Sequence, residues 1–172
     1  SSSSSSSSQR AVWDQITSCP DNKGRTTVHW AAVGGSVELL KLLLRHAGTS
    51  ALARGDTARS MTPVHFAAEQ GHWHVLEFMA HRFRSAGTTD PACLDTPDCH
   101  GLSPLHWAVK KQRIDAIRTL LQLKASVEVV DNKGQTPLDY ALKLTEANAA
   151  NQITLDALLG GPLSPNEFEF VE

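Results

Sequence analysis

Eight histidines and three cysteines (Cys19, Cys93 and Cys99) are the side chains of this sequence best suited to hold a metal or act as nucleophiles. His74 and His81 stand seven residues apart, about two helical turns, so they can share a helix face. Cys93, Cys99 and His100 could add soft ligands, but no pair has the tight C-x-x-C spacing that zinc sites use. No metal and no cofactor are expected. Nucleophilic catalysis would need a base placed beside a cysteine or serine, and the chain has neither a G-x-S-x-G elbow nor a phosphate-cradling glycine loop. The carboxylates Glu167 and Glu169 lie where no pocket can raise a pKa. The chain reads as a non-enzyme.

The elements that hold these residues recur. Asp98-Cys99-His100-Gly101-Leu102-Ser103-Pro104-Leu105-His106-Trp107-Ala108 joins a tight turn to a helix start. The line returns as Asp131 to Ala141 and as Asp21 to Ala31, and its helix half returns as Thr62 to Ala68. The helix-start residues Thr26, Thr62, Ser103 and Thr136 are spaced by 36, 41 and 33 residues, a period of 33 with two short insertions. Gly34-Gly35 and Gly71 are helix stops, and Gln112 occupies the same place in the third copy. Ser60 stands where the turn glycine would be, so the second turn should depart from the others. The helix from Ser36 to His46 is apolar on nearly every side, which predicts burial between neighbours. Trp73, Val75, Leu76, Phe78 and Met79 should likewise face inward.

At 172 residues, 41% hydrophobic and 20% charged, with a formal charge of −2, the composition is that of one globular domain. Near-neutral balance argues against a general nucleic-acid binder. No apolar run is long enough to cross a bilayer, and the N-terminus lacks a signal-peptide core. The odd cysteine count points to a reducing compartment, cytoplasmic or nuclear.

A 33-residue period carrying T-P-L-H and a turn glycine resembles the ankyrin repeat family over about residues 21–160. That resemblance implies an all-α fold: a right-handed solenoid of helix-turn-helix units with β-hairpin fingers. Repeats fall near 21–54, 55–94, 95–130 and 131–160. A Ser-rich segment with a short capping helix containing Trp13 and Ile16 precedes them (1–20), and an acidic-aromatic tail follows (161–172). Ile153, Leu155, Leu158 and Leu159 would close the stack. His29, His65 and His106 would bridge to the backbone of neighbouring turns, and Trp30, Phe66, Trp107 and Tyr140 would face the inter-repeat core.

Partners of such repeats bind the finger tips and the exposed side of each first helix. The corresponding positions are Asn22, Lys23, Arg25 and Val33; Arg59, Met61, Glu69 and Gln70; Cys99, His100, Leu102, Lys110 and Lys111; Asn132, Lys133, Gln135 and Lys143. Seven are Lys or Arg and one is acidic, so an acidic partner segment is expected, anchored on Met61 and Leu102. The acidic tail is a second occupant to consider. The function expected is non-catalytic protein–protein recognition by a monomer (an adaptor, scaffold or inhibitor) without membrane association. The alternatives are an accessory domain of a larger enzyme or channel, or a binder of RNA or another anionic ligand.

Overall fold

A turn-forming aspartate followed by a hydroxyl residue and proline dictates where each helix starts. Thr26, Thr62 and Ser103 take extended backbone ahead of the first helical residue. Their backbone N–H groups donate to Nδ1 of His29, His65 and His106 at 3.0, 3.0 and 3.1 Å, which satisfies a donor otherwise orphaned at a helix N-terminus. In the fourth repeat an aspartate does this work, Thr136 N–H donating to Asp139 Oδ2 at 2.8 Å.

The computed structural model describes residues 12–13, 15–17, 19–86, 94–147 and 152–160. Four helix pairs follow one another: α1 (Thr27–Val33) and α2 (Val37–Ala47), α3 (Pro63–Gln70) and α4 (Trp73–Ser85), α5 (Pro104–Lys110) and α6 (Ile114–Gln122), α7 (Pro137–Ala147) and α8 (Gln152–Leu159). A 3₁₀ turn, Thr49–Leu52, extends the first connection. First helices pack on first helices along the stack and second on second, while each pair packs within its repeat. The core lies between the two layers, where Val28, Leu40, Val64, Leu76, Leu105 and Ile117 are fully buried. Each such side chain contributes roughly 1.5–3 kcal/mol. Before the first repeat, Val12, Trp13 and Gln15 to Thr17 are helical; Trp13 stacks flat on His46 at 4.4 Å and Ile16 O accepts from Thr27 Oγ1 at 3.0 Å.

The helix turns are tied across repeats. Gly35 has φ +70°, and a Cβ there would come within 2.7 Å of the His72 ring, whose Nε2 donates to Val33 O at 2.9 Å. Arg113 repeats this tie one unit on, its Nε–H donating to Glu69 O at 3.2 Å. Gln112 takes the left-handed φ of +56° that glycine supplies elsewhere.

Two expectations need correction. No strand occurs among the described residues. Each finger is a single turn joined to its neighbour by one backbone hydrogen bond, too little to form a β-ladder. The second finger does depart from the others: its carboxylate, Asp56, stands one residue further from the helix start, although Ser60 takes φ +57° at the glycine place. Finally, not all of the second helices is covered. Leu39 and Leu42 are exposed because nothing described packs on that side of repeat 1, and Trp73, the first residue of α4, lies outside against His74.

Candidate binding surface

Each finger is built around one carboxylate. Asp98 Oδ1 accepts the N–H groups of His100 and Leu102 at 2.8 and 2.9 Å; Asp21 Oδ1 accepts those of Lys23 and Arg25, Asp56 Oδ1 those of Arg59 and Met61, and Asp131 Oδ1 those of Lys133 and Gln135. The second oxygen is then free to hold a side chain. Asp98 takes the Trp107 indole N–H at 3.0 Å, Asp131 the Tyr140 hydroxyl at 2.7 Å, and Asp21 the Arg25 guanidinium at 2.8 and 2.9 Å. Burial would raise the Asp21 carboxyl, but the Arg25 and Lys23 N–H groups and the Arg25 side chain outweigh it and hold the pKa at about 2. Asp131 is lowered in the same way, its burial outweighed by Gln135, Tyr140 and Lys133. Burial, then the bond to Asp131, pushes Tyr140 up to about 12.

Backbone bonds run from finger to finger. Thr57 N–H donates to Lys23 O at 3.0 Å, Cys99 N–H to Arg59 O at 2.8 Å, and Asn132 N–H to His100 O at 3.0 Å. Lys23, Arg59, His100 and Lys133 therefore occupy one register position in successive fingers. Arg59 and Lys110 converge on the buried Trp107 ring, 5.5 and 4.9 Å from its centroid. Lys23, His100, Lys110, Lys133 and Lys143 are exposed. Two other predicted cations are already paired: Arg25 with Asp21, and Lys111 with Glu69 at 3.2 Å. Gln70, exposed at the end of α3, lines an open pocket of about 280 Å³ with Gly71, Gln112 and Arg113.

Met61 and Leu102 are not surface anchors: they are 0% and 3% exposed. Their N–H groups bond the finger carboxylate, and their apolar side chains are buried at the position that the polar Arg25 and Gln135 occupy, half-buried, in the first and last fingers. Phe66 and Trp107 are buried as expected, but Trp30 is 48% exposed, with the Arg25 guanidinium 4.1 Å above its ring. No described finger precedes it. Register identifies Trp107 as a platform for two cations and Asp56 as a finger carboxylate, neither of which residue type alone would reveal.

His65 and His106 do bridge repeats, Nε2 donating to Leu102 O and Gln135 O, each at 3.1 Å. His29 Nε2 is buried without a partner. Burial lowers all three pKa values, that of His65 to about 4, so these rings are neutral at pH 7. Among the described residues no three histidines, cysteines or acids come together as a metal site; Cys93 lies outside them. Also outside are Glu167, Glu169 and the rest of the tail. A cavity of about 380 Å³ is lined by Thr17, Thr26, His46, Ala47, Ser50, Ala51 and Arg54, none of them a carboxylate or a thiol.

Known proteins share this pattern. A family model described as ankyrin repeats (3 copies) matches residues 7–90 and 81–157. A putative ankyrin repeat protein of fowlpox virus (strain NVSL) is 30% identical over 141 residues, covering 81% of this chain and 21% of that protein. Neurogenic locus notch homolog protein 1 of Xenopus tropicalis is 30% identical over 122 residues, 71% of this chain and 4% of that protein. The putative palmitoyltransferase ZDHHC13 of Danio rerio is 30% identical over 123 residues, 71% of this chain and 17% of that protein. The chain thus spans about a fifth or less of the length of these relatives. With aspartate-centred fingers, paired helices and histidine bridges at a fixed period, and with that match across most of its length, the chain belongs to the ankyrin repeat family.

Proposed function

We propose that this domain is a non-catalytic protein–protein interaction module (an adaptor, scaffold or inhibitor) that takes an acidic segment of its partner along the fingers and first helices. The observation that carries this reading is the Arg59–Trp107–Lys110 cluster. Two cations are held against one buried indole, which is itself fixed by Asp98. Charges held in place lose little side-chain freedom on binding, and a row of one sign steers an acidic ligand. Lys23, Lys133 and Lys143 extend the row, while Arg25, Lys111 and Glu69 are engaged within the domain. Two exposed thiols, Cys19 and Cys99, suit the cytoplasm. No described helix is long and apolar enough to cross a membrane.

The alternative of an accessory domain within a larger protein is favoured by one observation: relatives such as the palmitoyltransferase are several times longer than this chain. The two readings share the same surface. Because Lys111 already pairs with Glu69, the informative variant reverses Lys110 and Lys133 to Glu. Partner capture by this variant should fall at least tenfold, and the residual binding should lose its salt dependence. Unchanged capture would refute the basic-face reading. Tight, salt-sensitive binding of the wild type to homopolymeric RNA, unmatched by poly-glutamate, would favour an RNA or anionic ligand instead.

A further inference from the structure

Every finger presents a basic side chain at the same place. Lys23, His100 and Lys133 stand two residues after their finger aspartate, and Arg59 stands three after Asp56. The carbonyls of Lys23, Arg59 and His100 each accept an N–H from the next finger, so the four residues form one column along the stack. Lys23, His100 and Lys133 are exposed, and Arg59 is half-buried against Trp107. None of the four is in an ion pair among the described residues. The matching column on the first helices is broken. It reads Val33, Glu69, Lys110 and Lys143, with Glu69 tied to Lys111 and Lys143 near Asp139 one turn earlier.

The spacing of the finger column is that of the stack. First helices pack directly on first helices, which sets successive repeats roughly 8–10 Å apart. A polypeptide that meets one cation per repeat must therefore present an acidic side chain on one edge at that interval. A polyproline II segment does so with every third residue, because three residues complete one turn and advance about 9 Å. A β-strand does not, because residues three apart point to opposite faces. A helix reaches the interval with every seventh residue, about 10.5 Å, but helices dock by laying an apolar face in an apolar groove. Here such side chains are withdrawn: Met61, Phe66, Leu102 and Trp107 are buried, and the exposed Trp30 lies under the Arg25 guanidinium. The finger N–H groups that a strand would need are already bonded to the finger carboxylates and to neighbouring fingers. A polyproline II chain keeps its backbone in water and needs neither groove nor sheet edge.

On the acidic-segment reading above, on which this step rests, we infer that the partner segment is polyproline-like, with an aspartate or glutamate at every third position, one for each finger it crosses. Arg59 takes a central acid, its guanidinium held against Trp107 with Lys110 on the same ring. Lys23 takes the acid one finger before, and Lys133 the acid two fingers after. His100 offers a ring N–H to the acid between Arg59 and Lys133.

Two synthetic peptides of identical composition test the spacing by titration calorimetry against the full chain. One is four Glu-Pro-Pro triplets; the other has the four glutamates consecutive between two proline runs. The triplet peptide should bind at least about tenfold more tightly, because each exposed ion pair adds little and only the triplets place every acid in register. Lys23→Gln combined with Lys133→Gln leaves Arg59 as the last lysine or arginine of the column. Both sites are exposed, and a thermal melt checks that the double variant folds. It should bring the two peptides to within about threefold of each other. Equal binding of the two peptides by the wild type overturns the spacing and leaves the acidic-segment reading standing. A helical peptide with glutamate at every seventh position that binds as tightly as the triplets overturns the extended conformation. If none of the three binds, the acidic-segment reading fails and takes this inference with it.

Discussion

A carboxylate whose one oxygen accepts two backbone N–H groups has the other oxygen left for a side chain, and in this molecule that second bond differs between fingers. Tyr140 donates its hydroxyl to Asp131 at 2.7 Å. Tyr140→Phe should therefore cost about 1 kcal/mol, read as a lower urea midpoint at unchanged slope. The buried histidines set the response to acid. His65 has its pKa lowered from 6.5 to about 4, so the folded state resists a proton that the unfolded chain accepts. The stability it contributes is whole above pH 6.5 and is lost as the pH falls towards 4, by on the order of 3 kcal/mol. His29 and His106 act in the same direction. Asp21, Asp131 and Asp139, whose pKa values are depressed, begin to lose their contribution only as the pH falls below the ordinary carboxylate range. Asp95, raised by burial, works in the opposite sense. Urea titrations across this range should show the midpoint falling with the histidine window; a flat profile from pH 6.5 to 4 would contradict the burial of these rings.

Helix ends are the element at which this sequence departs from its own grammar. Gln112 holds φ +56°, a conformation that costs an L-residue roughly 1–2 kcal/mol, whereas glycine there costs about 0.5–1 kcal/mol of chain entropy. Gln112→Gly should accordingly stabilise the protein by about 0.5–1 kcal/mol in urea denaturation. Gly35→Ala should do the reverse and cost more than about 2 kcal/mol. The added Cβ would meet the His72 ring at 2.7 Å in a left-handed backbone, and relief would break the His72–Val33 bond. Ser60 and Gln112 are legible in the sequence as off-pattern letters, and both take the backbone that glycine takes elsewhere. Asp56 is not legible in this way, because an insertion of one residue hides its register.

For the molecule as a whole, position along the stack governs the cost of a change. Leu105 is fully buried between repeats on both sides, and Leu105→Ala should cost about 2–5 kcal/mol. Leu142→Ala, at the open end, should cost less than about 1 kcal/mol. A stack whose units contact only their neighbours transmits such losses by adjacency, so the central substitution should also raise amide exchange in the flanking helices. Equal losses at the two sites would mean that the end face is covered in solution.

The period of 33, the helix starts and the glycine stops are local, so the sequence alone determined the fold and the order of its elements. It also placed His65 and His106 as bridges, because their task depends on repeat register. Which finger and helix side chains reach solvent is decided by neighbours distant in sequence. Met61 and Leu102 fall in the core and Trp30 outside it because packing depends on whether a repeat lies on that side. The pairing of Arg25 with Asp21, of Lys111 with Glu69, and of Arg59 and Lys110 with Trp107 likewise depends on which turns meet in space. The repeat register pointed to a row of cations on the fingers and first helices, and only tertiary structure separated those held within the domain from those left exposed.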